Sequence, residues 1–175
     1  MAEFFETALN RRSVRKFEAE MPEISLIDRI IEAGKFAPTG MNRQSPIIIA
    51  ITNPETREQI VRTNAQIGGW KADFDPFYGA PVILAVLESA ASPTRVYDGS
   101  CVMQNLLLAA ADVGLGGCWI HRAKETFERQ EWREWLAKIG VEGEFEGIGF
   151  CAIGHISGEN PKPHKRKENW VYWVK

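Results

Sequence analysis

Two uninterrupted apolar runs constrain the fold of this chain more than any other feature of its sequence. Residues 46–51 read Pro-Ile-Ile-Ile-Ala-Ile, and residues 81–87 read Pro-Val-Ile-Leu-Ala-Val-Leu. Short runs of this kind, rich in β-branched residues, are typical of strands that are covered on both faces, and they are far too short to cross a bilayer as helices. A sheet with a layer of helices on each side provides such cover.

Helical patterns separate these runs from two further strand candidates, at 115–120 and 147–156. Spacing and capping residues predict helices before residue 10, from about 25 to Pro38, from Asn53 to Gly68, from Asp98 or Ser100 to Gly114, and over 125–139. Residues 70–79 contain four aromatic side chains without a period, and they are interpreted as a loop or a partly ordered lid. The pattern predicts one α/β or α+β sandwich.

The composition is that of an ordinary globular domain. The 175 residues are 25% charged and 45% hydrophobic, and 21 Lys and Arg against 23 Asp and Glu give a formal net charge of −2. This balance argues against disorder and against a generally basic nucleic-acid-binding surface, and the length predicts a single domain over residues 1–175. The start lacks a basic and apolar leader pattern, so we expect a cytoplasmic protein without a membrane span.

The cysteines and histidines argue against several kinds of site. Cys101, Cys118 and Cys151 lie in apolar stretches without Cys-x-x-Cys spacing, which indicates free thiols in a reducing compartment. Cys118 and His121 form an isolated Cys-x-x-His pair, so we expect no metal site. No serine or cysteine lies in a nucleophile elbow, and a hydrolytic triad is therefore unsupported.

Two basic clusters lie far apart in the chain, at residues 11–16 (Arg-Arg-Ser-Val-Arg-Lys) and 162–167 (Lys-Pro-His-Lys-Arg-Lys). Guanidinium groups bind phosphate bidentately, so the two clusters together could hold one phosphate group. Alternatively, the first cluster is a solvated helix end that complements the helix dipole. Independently of the first, the second cluster has the alternative of a nucleic-acid patch, although no nucleic-acid-binding motif accompanies it.

Two glycine-containing segments add to this picture. Residues 37–44 (Ala-Pro-Thr-Gly-Met-Asn-Arg-Gln) offer the amides of Asn42 and Gln44, which can match the donors and acceptors of a heterocycle. The alternative is a polar loop between helix and strand. Residues 114–117 (Gly-Leu-Gly-Gly) follow a helix and precede a strand, so they are not a dinucleotide fingerprint. The segments favour binding of a phosphorylated heterocycle over covalent catalysis by side chains.

Taken in order, residues 11–17, 37–44, 109–120 and 148–156, with the basic segment 161–166, resemble the nitroreductase family of FMN-dependent, NAD(P)H-oxidising flavoproteins. The resemblance covers nearly the whole chain. It implies an α+β three-layer sandwich in which a central, mostly antiparallel sheet is flanked by helices. It also implies an intertwined homodimer with two FMN molecules in clefts between the subunits.

The resemblance assigns cofactor-binding roles residue by residue. The motif that holds the phosphate and ribityl chain corresponds to Arg11, Arg12, Ser13 and Arg15. The loop that the other subunit contributes corresponds to Pro38, Thr39, Gly40, Asn42 and Gln44. The segment beside the isoalloxazine, whose backbone N–H can meet flavin N5, corresponds to Gly116, Gly117 and Cys118. The C-terminal phosphate clamp corresponds to His164, Lys165 and Arg166. No side chain is assigned as catalytic, because the flavin carries the chemistry.

The chain departs from longer family members around residues 70–79. Those members have an Asn and a Lys that touch the flavin and the nicotinamide. Residues 70–79 contain no convincing match to them, and Asn64 and Lys71 are no more than candidates. The shorter chain implies a more open site, with walls from Trp70, Phe74, Phe77 and Tyr78. The ending Trp170-Val-Tyr-Trp173 is too apolar for a free tail, so residues from about 160 to 175 are expected to pack on the partner subunit.

The function implied is an FMN-dependent oxidoreductase. It would pass reducing equivalents from NADH or NADPH to a nitroaromatic, quinone or related small acceptor in a ping-pong cycle. A flavin-binding carrier or sensor that does not turn over NAD(P)H is the alternative. A nucleic-acid-binding module that uses residues 162–167 is a third hypothesis.

Overall fold

The computed structural model describes residues 4–175, in which helices lie on both faces of a four-stranded sheet. The helices are α1 (Phe4–Asn10), α2 (Ile24–Lys35), α3 (Pro54–Ile67), α4 (Arg95–Asp112), α5 (Ala123–Phe127) and α6 (Gln130–Lys138). The strands are β1 (Ile47–Ile51), β2 (Val82–Ser89), β3 (Gly116–Ile120) and β4 (Phe145–Gly154). They pair in the order β1-β2-β4-β3, and every pair is antiparallel.

Alternate residues of β2 enter two separate cores. Ile83, Ala85 and Leu87 pack beneath α3, α5 and α6. The side chains between them, among them Leu84 and Val86, pack beneath α2 and α4. All of these side chains are fully buried, which explains the continuous apolar run in the sequence. The predicted α+β sandwich with helices on both faces is confirmed.

Two helix boundaries differ from the sequence prediction. The helix predicted over 125–139 is broken, because Arg129 is extended (φ −72°, ψ 142°) between α5 and α6. Phe127 and Trp132 are five residues apart, which is about 140° around one helix axis, so the break allows both rings to enter the core. Helix α4 begins earlier than predicted: Thr94 is its N-cap residue, and Asp98 lies inside its first turn.

Residues 70–79 form a loop that is attached to α3 by an ion pair. The guanidinium of Arg57 donates to the Asp75 carboxylate and to the carbonyl of Ala80. The same carboxylate accepts hydrogen bonds from two backbone N–H groups of the loop. Phe77 is completely buried, so it cannot form a wall of an open site, contrary to our expectation.

The variant Asp75→Ala should lower the free energy of unfolding by about 2 kcal/mol. It leaves a guanidinium that is only 17% exposed without its counter-ion, and two backbone N–H groups without an acceptor. Urea denaturation measures the loss. The matched control is Glu58→Ala, which removes an exposed ion pair of α3 and should cost less than about 0.5 kcal/mol. Equal losses in the two variants would contradict this account of the loop.

Candidate cofactor-binding site

The first basic cluster lies beside the glycine-rich segment of β3. The backbone N–H of Val14 donates to the carbonyl of Gly117 over 3.1 Å, and Ser13 forms a parallel bridge with the same residue. Further on, Phe17 pairs with Ile156, just beyond β4. Motifs that are a hundred residues or more apart in the sequence are therefore neighbours in the structure.

A cavity of about 260 Å³ opens where these segments meet the end of α4. Its lining includes Thr7, Arg11, Arg12, Gly117 and Asn160. Thr7 Oγ1 and Arg12 Nε are buried and have no hydrogen-bond partner among the described residues. Buried polar atoms normally have partners, so the cavity suits a polar ligand group.

The two adjacent arginines have different roles. Arg12 donates to the carbonyls of Leu9 (2.8 Å) and Arg11 (2.7 Å), and thereby satisfies backbone acceptors at the end of α1. Arg11 is half-buried and its guanidinium makes no hydrogen bond within residues 4–175. Arg11 is therefore the cation of the cavity that is most available to an anion.

The predicted residues of β3 present their backbone, rather than their side chains, to this region. A Cβ on Gly116 would lie 3.0 Å from the Val14 side chain, and one on Gly117 would lie 3.1 Å from Leu107. Cys118 is buried in the core. Glycine at these two positions therefore allows neighbouring segments of the chain to pack closely against β3. A ligand can contact only the backbone edge of this strand.

Neither buried thiol of the sheet is activated. Burial raises the pKa of Cys118, and the positive charges of Arg15 and Arg11 oppose this only in part. Burial also raises the pKa of Cys151, and proximity to Cys118 raises it further. Since the thiolate is the nucleophile, both residues are inert at neutral pH.

Iodoacetamide at pH 8 should therefore leave Cys118 and Cys151 unmodified in the native protein. A raised pKa lowers the thiolate fraction at that pH, and burial blocks the reagent. Both residues should react once urea unfolds the chain, and peptide mass spectrometry distinguishes the two states. Native-state modification at the unfolded rate would contradict the positions described here.

The C-terminal tail begins at the same cavity. The side chain of Asn160 donates to the carbonyl of Asn10 over 3.3 Å. Arg166 follows six residues later, within about 20 Å of extended chain. His164, Lys165 and Arg166 are exposed, and Lys165 pairs with Glu168. None of these three predicted residues lines the cavity, although the tail that carries them starts from it.

The loop at residues 38–44 lies at the opposite end of α4. The backbone N–H of Gly40 donates to Asp98 in the first turn of that helix, whereas Ala111, in its last turn, lines the cavity. Thirteen helical residues span about 20 Å. Thr39 and Gln44 instead line a second cavity of about 440 Å³ between α2 and β1. A single chain does not bring this loop to the first basic cluster.

The candidate positions around residues 64–78 are also separated from the cavity. Asn64 is fully buried and donates to the carbonyl of Ile60 and to Thr126 Oγ1, each over 3.1 Å. Trp70 and Phe74 are partly exposed, and their ring centroids are 4.9 Å apart. The guanidinium carbon of Arg122 lies 4.3 Å from the Trp70 ring centroid, a cation–π contact that the sequence did not indicate.

Within residues 4–175, no helix is both long and apolar enough to cross a membrane. Among the same residues, no three His, Cys, Asp or Glu side chains are grouped as metal ligands are.

Comparison with known proteins identifies the family. The model of the nitroreductase family matches residues 8–155. The chain is 22% identical over 179 residues to the FMN reductase (NADPH) of Bacillus subtilis, across 92% of this chain and 70% of that protein. It is 28% identical over 134 residues to an NADPH-dependent oxidoreductase of Staphylococcus saprophyticus, across 69% of this chain and 53% of that protein. A protein of Methanothermobacter thermautotrophicus is 34% identical over 119 residues, which are 65% of this chain and 58% of that protein.

The chain thus spans between 53% and 70% of the length of these curated relatives. It is much closer in length to solved structures. A nitroreductase with bound FMN from Bacteroides fragilis superposes with a TM-score of 0.88 and 27% identity, over 100% of both chains. One from Desulfitobacterium hafniense gives the same TM-score and coverage at 24% identity, which shows the shared fold. Since the family model covers 148 of the 175 residues (8–155), the chain belongs to the nitroreductase family.

Proposed function

We propose that this protein is an FMN-dependent oxidoreductase that carries reducing equivalents from NADH or NADPH to a small acceptor, such as a nitroaromatic compound or a quinone. The observation that carries the proposal is the full-length superposition on a nitroreductase with bound FMN. Family membership and two relatives that are named for NADPH-linked reduction support it.

The residues of the cavity fit a phosphorylated cofactor. Arg11 offers a guanidinium without a hydrogen-bond partner among the described residues, and Thr7 and Arg12 offer unpartnered buried polar atoms. Lys165 and Arg166 follow Asn160, which lines the cavity, by five and six residues. A phosphate monoester is the ligand group that such donors bind most strongly.

We propose further that the complete site lies between two copies of the chain. The loop 38–44 and the cavity lie at opposite ends of α4. A two-fold axis that places two α4 helices antiparallel would bring the loop of one subunit to the cavity of the other. Large apolar side chains are exposed on α1 (Phe4, Phe5, Leu9), near the loop (Phe36, Met41), on α4 (Val96, Tyr97) and along the tail (residues 170–174). Such a surface is typical of a subunit interface.

In this arrangement the protein binds and orients, and bound FMN supplies the redox chemistry of its isoalloxazine ring. Arg11, with Lys165 and Arg166, holds the phosphate. Arg15 provides positive charge near Cys118, where it can stabilise negative charge on a reduced ring. The amides of Asn42 and Gln44 are the hydrogen-bonding groups that the partner loop offers to a heterocycle. The buried thiols stay protonated and take no part.

An anaerobic titration of the purified protein tests this function. With FMN bound, NADH or NADPH should bleach the flavin absorbance, and a nitroaromatic compound or quinone should restore it. Bound flavin that neither nucleotide reduces would contradict the proposal and favour a flavin carrier or sensor. A protein that cannot be reconstituted with FMN would contradict both.

A further inference from the structure

Asp98 attaches the loop at residues 38–44 to the first turn of α4. Its side chain is buried, with the residue only 5% exposed. Oδ1 accepts a hydrogen bond from the backbone N–H of Gly40 over 3.0 Å, and Oδ2 accepts one from the Thr94 hydroxyl over 2.7 Å. Each carboxylate oxygen therefore accepts a hydrogen bond from another group of the protein.

The loop needs an anchor because its backbone conformation is unfavourable. Met41, Asn42 and Gln44 have φ values of 55°, 53° and 51°, a region that residues with a Cβ rarely adopt. Within the loop, the N–H of Gln44 donates to Thr39 Oγ1, and its side-chain amide donates to Asn42 Oδ1, each over 3.0 Å. These internal bonds are exposed to water, whereas the Gly40–Asp98 hydrogen bond is partly buried and is therefore the stronger constraint on the loop.

The loop and the helix also fit too closely for a side chain between them. A Cβ on Gly40 would collide with the Thr94 hydroxyl, which is the group that donates to Asp98. The backbone of Gly40 can therefore reach the carboxylate only because this residue is a glycine. Thr94, Asp98 and Gly40 form one local unit, although Gly40 and Asp98 are 58 positions apart in the sequence.

We propose that Asp98 is a positioning residue, which holds the loop in the strained shape that presents Asn42 and Gln44 to the cofactor of the partner subunit. This proposal rests on the proposed function, because the contact between loop and cofactor is part of it. Without the hydrogen bond to Asp98, Met41, Asn42 and Gln44 relax to ordinary φ values. The side-chain amides of Asn42 and Gln44 then move. Cofactor binding must then restore the loop, and the affinity falls accordingly.

Two substitutions of Asp98 distinguish positioning from general stability. Asp98→Ala removes both acceptors. Asp98→Asn keeps an oxygen for the N–H of Gly40, and its amide can donate to the Thr94 hydroxyl, so it should rescue the loop. The control is Ser100→Ala, on the same helix, because within residues 4–175 the Ser100 hydroxyl bonds only to the carbonyl of Val96.

The first readout needs no cofactor. Trypsin cleaves after Arg43, which is exposed in the loop, at a rate that follows local opening. We expect Asp98→Ala to be cleaved there about tenfold faster than wild type, while Asp98→Asn and Ser100→Ala stay within about threefold. Mass spectrometry identifies the cleaved bond, and the urea midpoint of each variant corrects for global unfolding.

The second readout is the FMN dissociation constant, measured by flavin fluorescence. We expect about a tenfold increase in Asp98→Ala and values near wild type in Asp98→Asn and Ser100→Ala. Unchanged cleavage in Asp98→Ala would overturn the anchor, and faster cleavage with unchanged FMN affinity would overturn the positioning role. Wild-type protein that binds no FMN would instead contradict the proposed function, and with it the positioning role. In that case the trypsin cleavage rates would still decide whether Asp98 holds the loop.

Discussion

Alanine at both Arg11 and Arg166 should weaken FMN binding on the order of a thousandfold, and each single variant should weaken it tenfold to a hundredfold. A charge-assisted contact to phosphate contributes about 1.5 to 3 kcal/mol, and the double variant removes two. Arg11 lines the cavity without a hydrogen-bond partner among residues 4–175, and Arg166 is the arginine of the tail that begins there. Equilibrium titration of the FMN-free protein with FMN measures these losses.

Two control variants separate this effect from a general loss of positive charge. Arg133→Ala removes an exposed arginine of α6 and should leave the affinity unchanged. Arg12→Ala should weaken FMN binding less than Arg11→Ala does, because the Arg12 guanidinium is already bonded to two carbonyls at the end of α1. Wild-type affinity in both single variants, Arg11→Ala and Arg166→Ala, would exclude the phosphate site proposed here.

Deletion of residues 161–175 should convert the protein to a monomer and abolish FMN binding. Five consecutive tail residues, Trp170 to Val174, are between 63% and 99% exposed. The strands and the two hydrophobic cores that the structure describes within residues 4–175 all lie before residue 161. The shortened chain should therefore keep its native circular dichroism. Light scattering coupled to size-exclusion chromatography measures the mass, and titration measures FMN binding.

A second variant separates the interface from the basic clamp. Trp170→Ser with Trp173→Ser keeps residues 164–166 but removes two large apolar side chains. Buried interface tryptophans commonly contribute 2 kcal/mol or more each, so the dimer dissociation constant should rise on the order of a thousandfold. A dimer of unchanged stability in both tail variants would show that the tail does not pack on the partner.

Local patterns predict the elements of this fold well, because each strand and most helices have their own signal. The uniformly apolar run at 82–87 lies within β2, and each of its side chains is buried. The break between α5 and α6 has no such signal, since it depends on where Phe127 and Trp132 enter a core built from distant segments. The resemblance of short motifs to a family supplies the cofactor, which no single motif specifies.

The site is predictable only in part, for reasons of geometry. Sequence shows that Arg11 and Arg12 are adjacent cations, but only the path of α1 decides which of them is bonded to carbonyls. Asp98 has the pattern of an ordinary residue near a helix start, and its partner Gly40 lies 58 positions away. The distance along α4 between the loop and the cavity likewise cannot be derived from the sequence before the position of the helix is known.

Mixed dimers distinguish a composite site between two chains from a site that one chain forms alone. One subunit carries Arg11→Ala and the other carries Asn42→Ala with Gln44→Ala, and two different affinity tags isolate the heterodimer. If each site takes its arginine from one chain and its loop from the other, one site is intact and the other has both defects. FMN titration should then find one site of wild-type affinity per dimer and one that is much weaker. Two sites that are both weakened, each by a single defect, would show that the arginine and the loop of the same chain serve the same site.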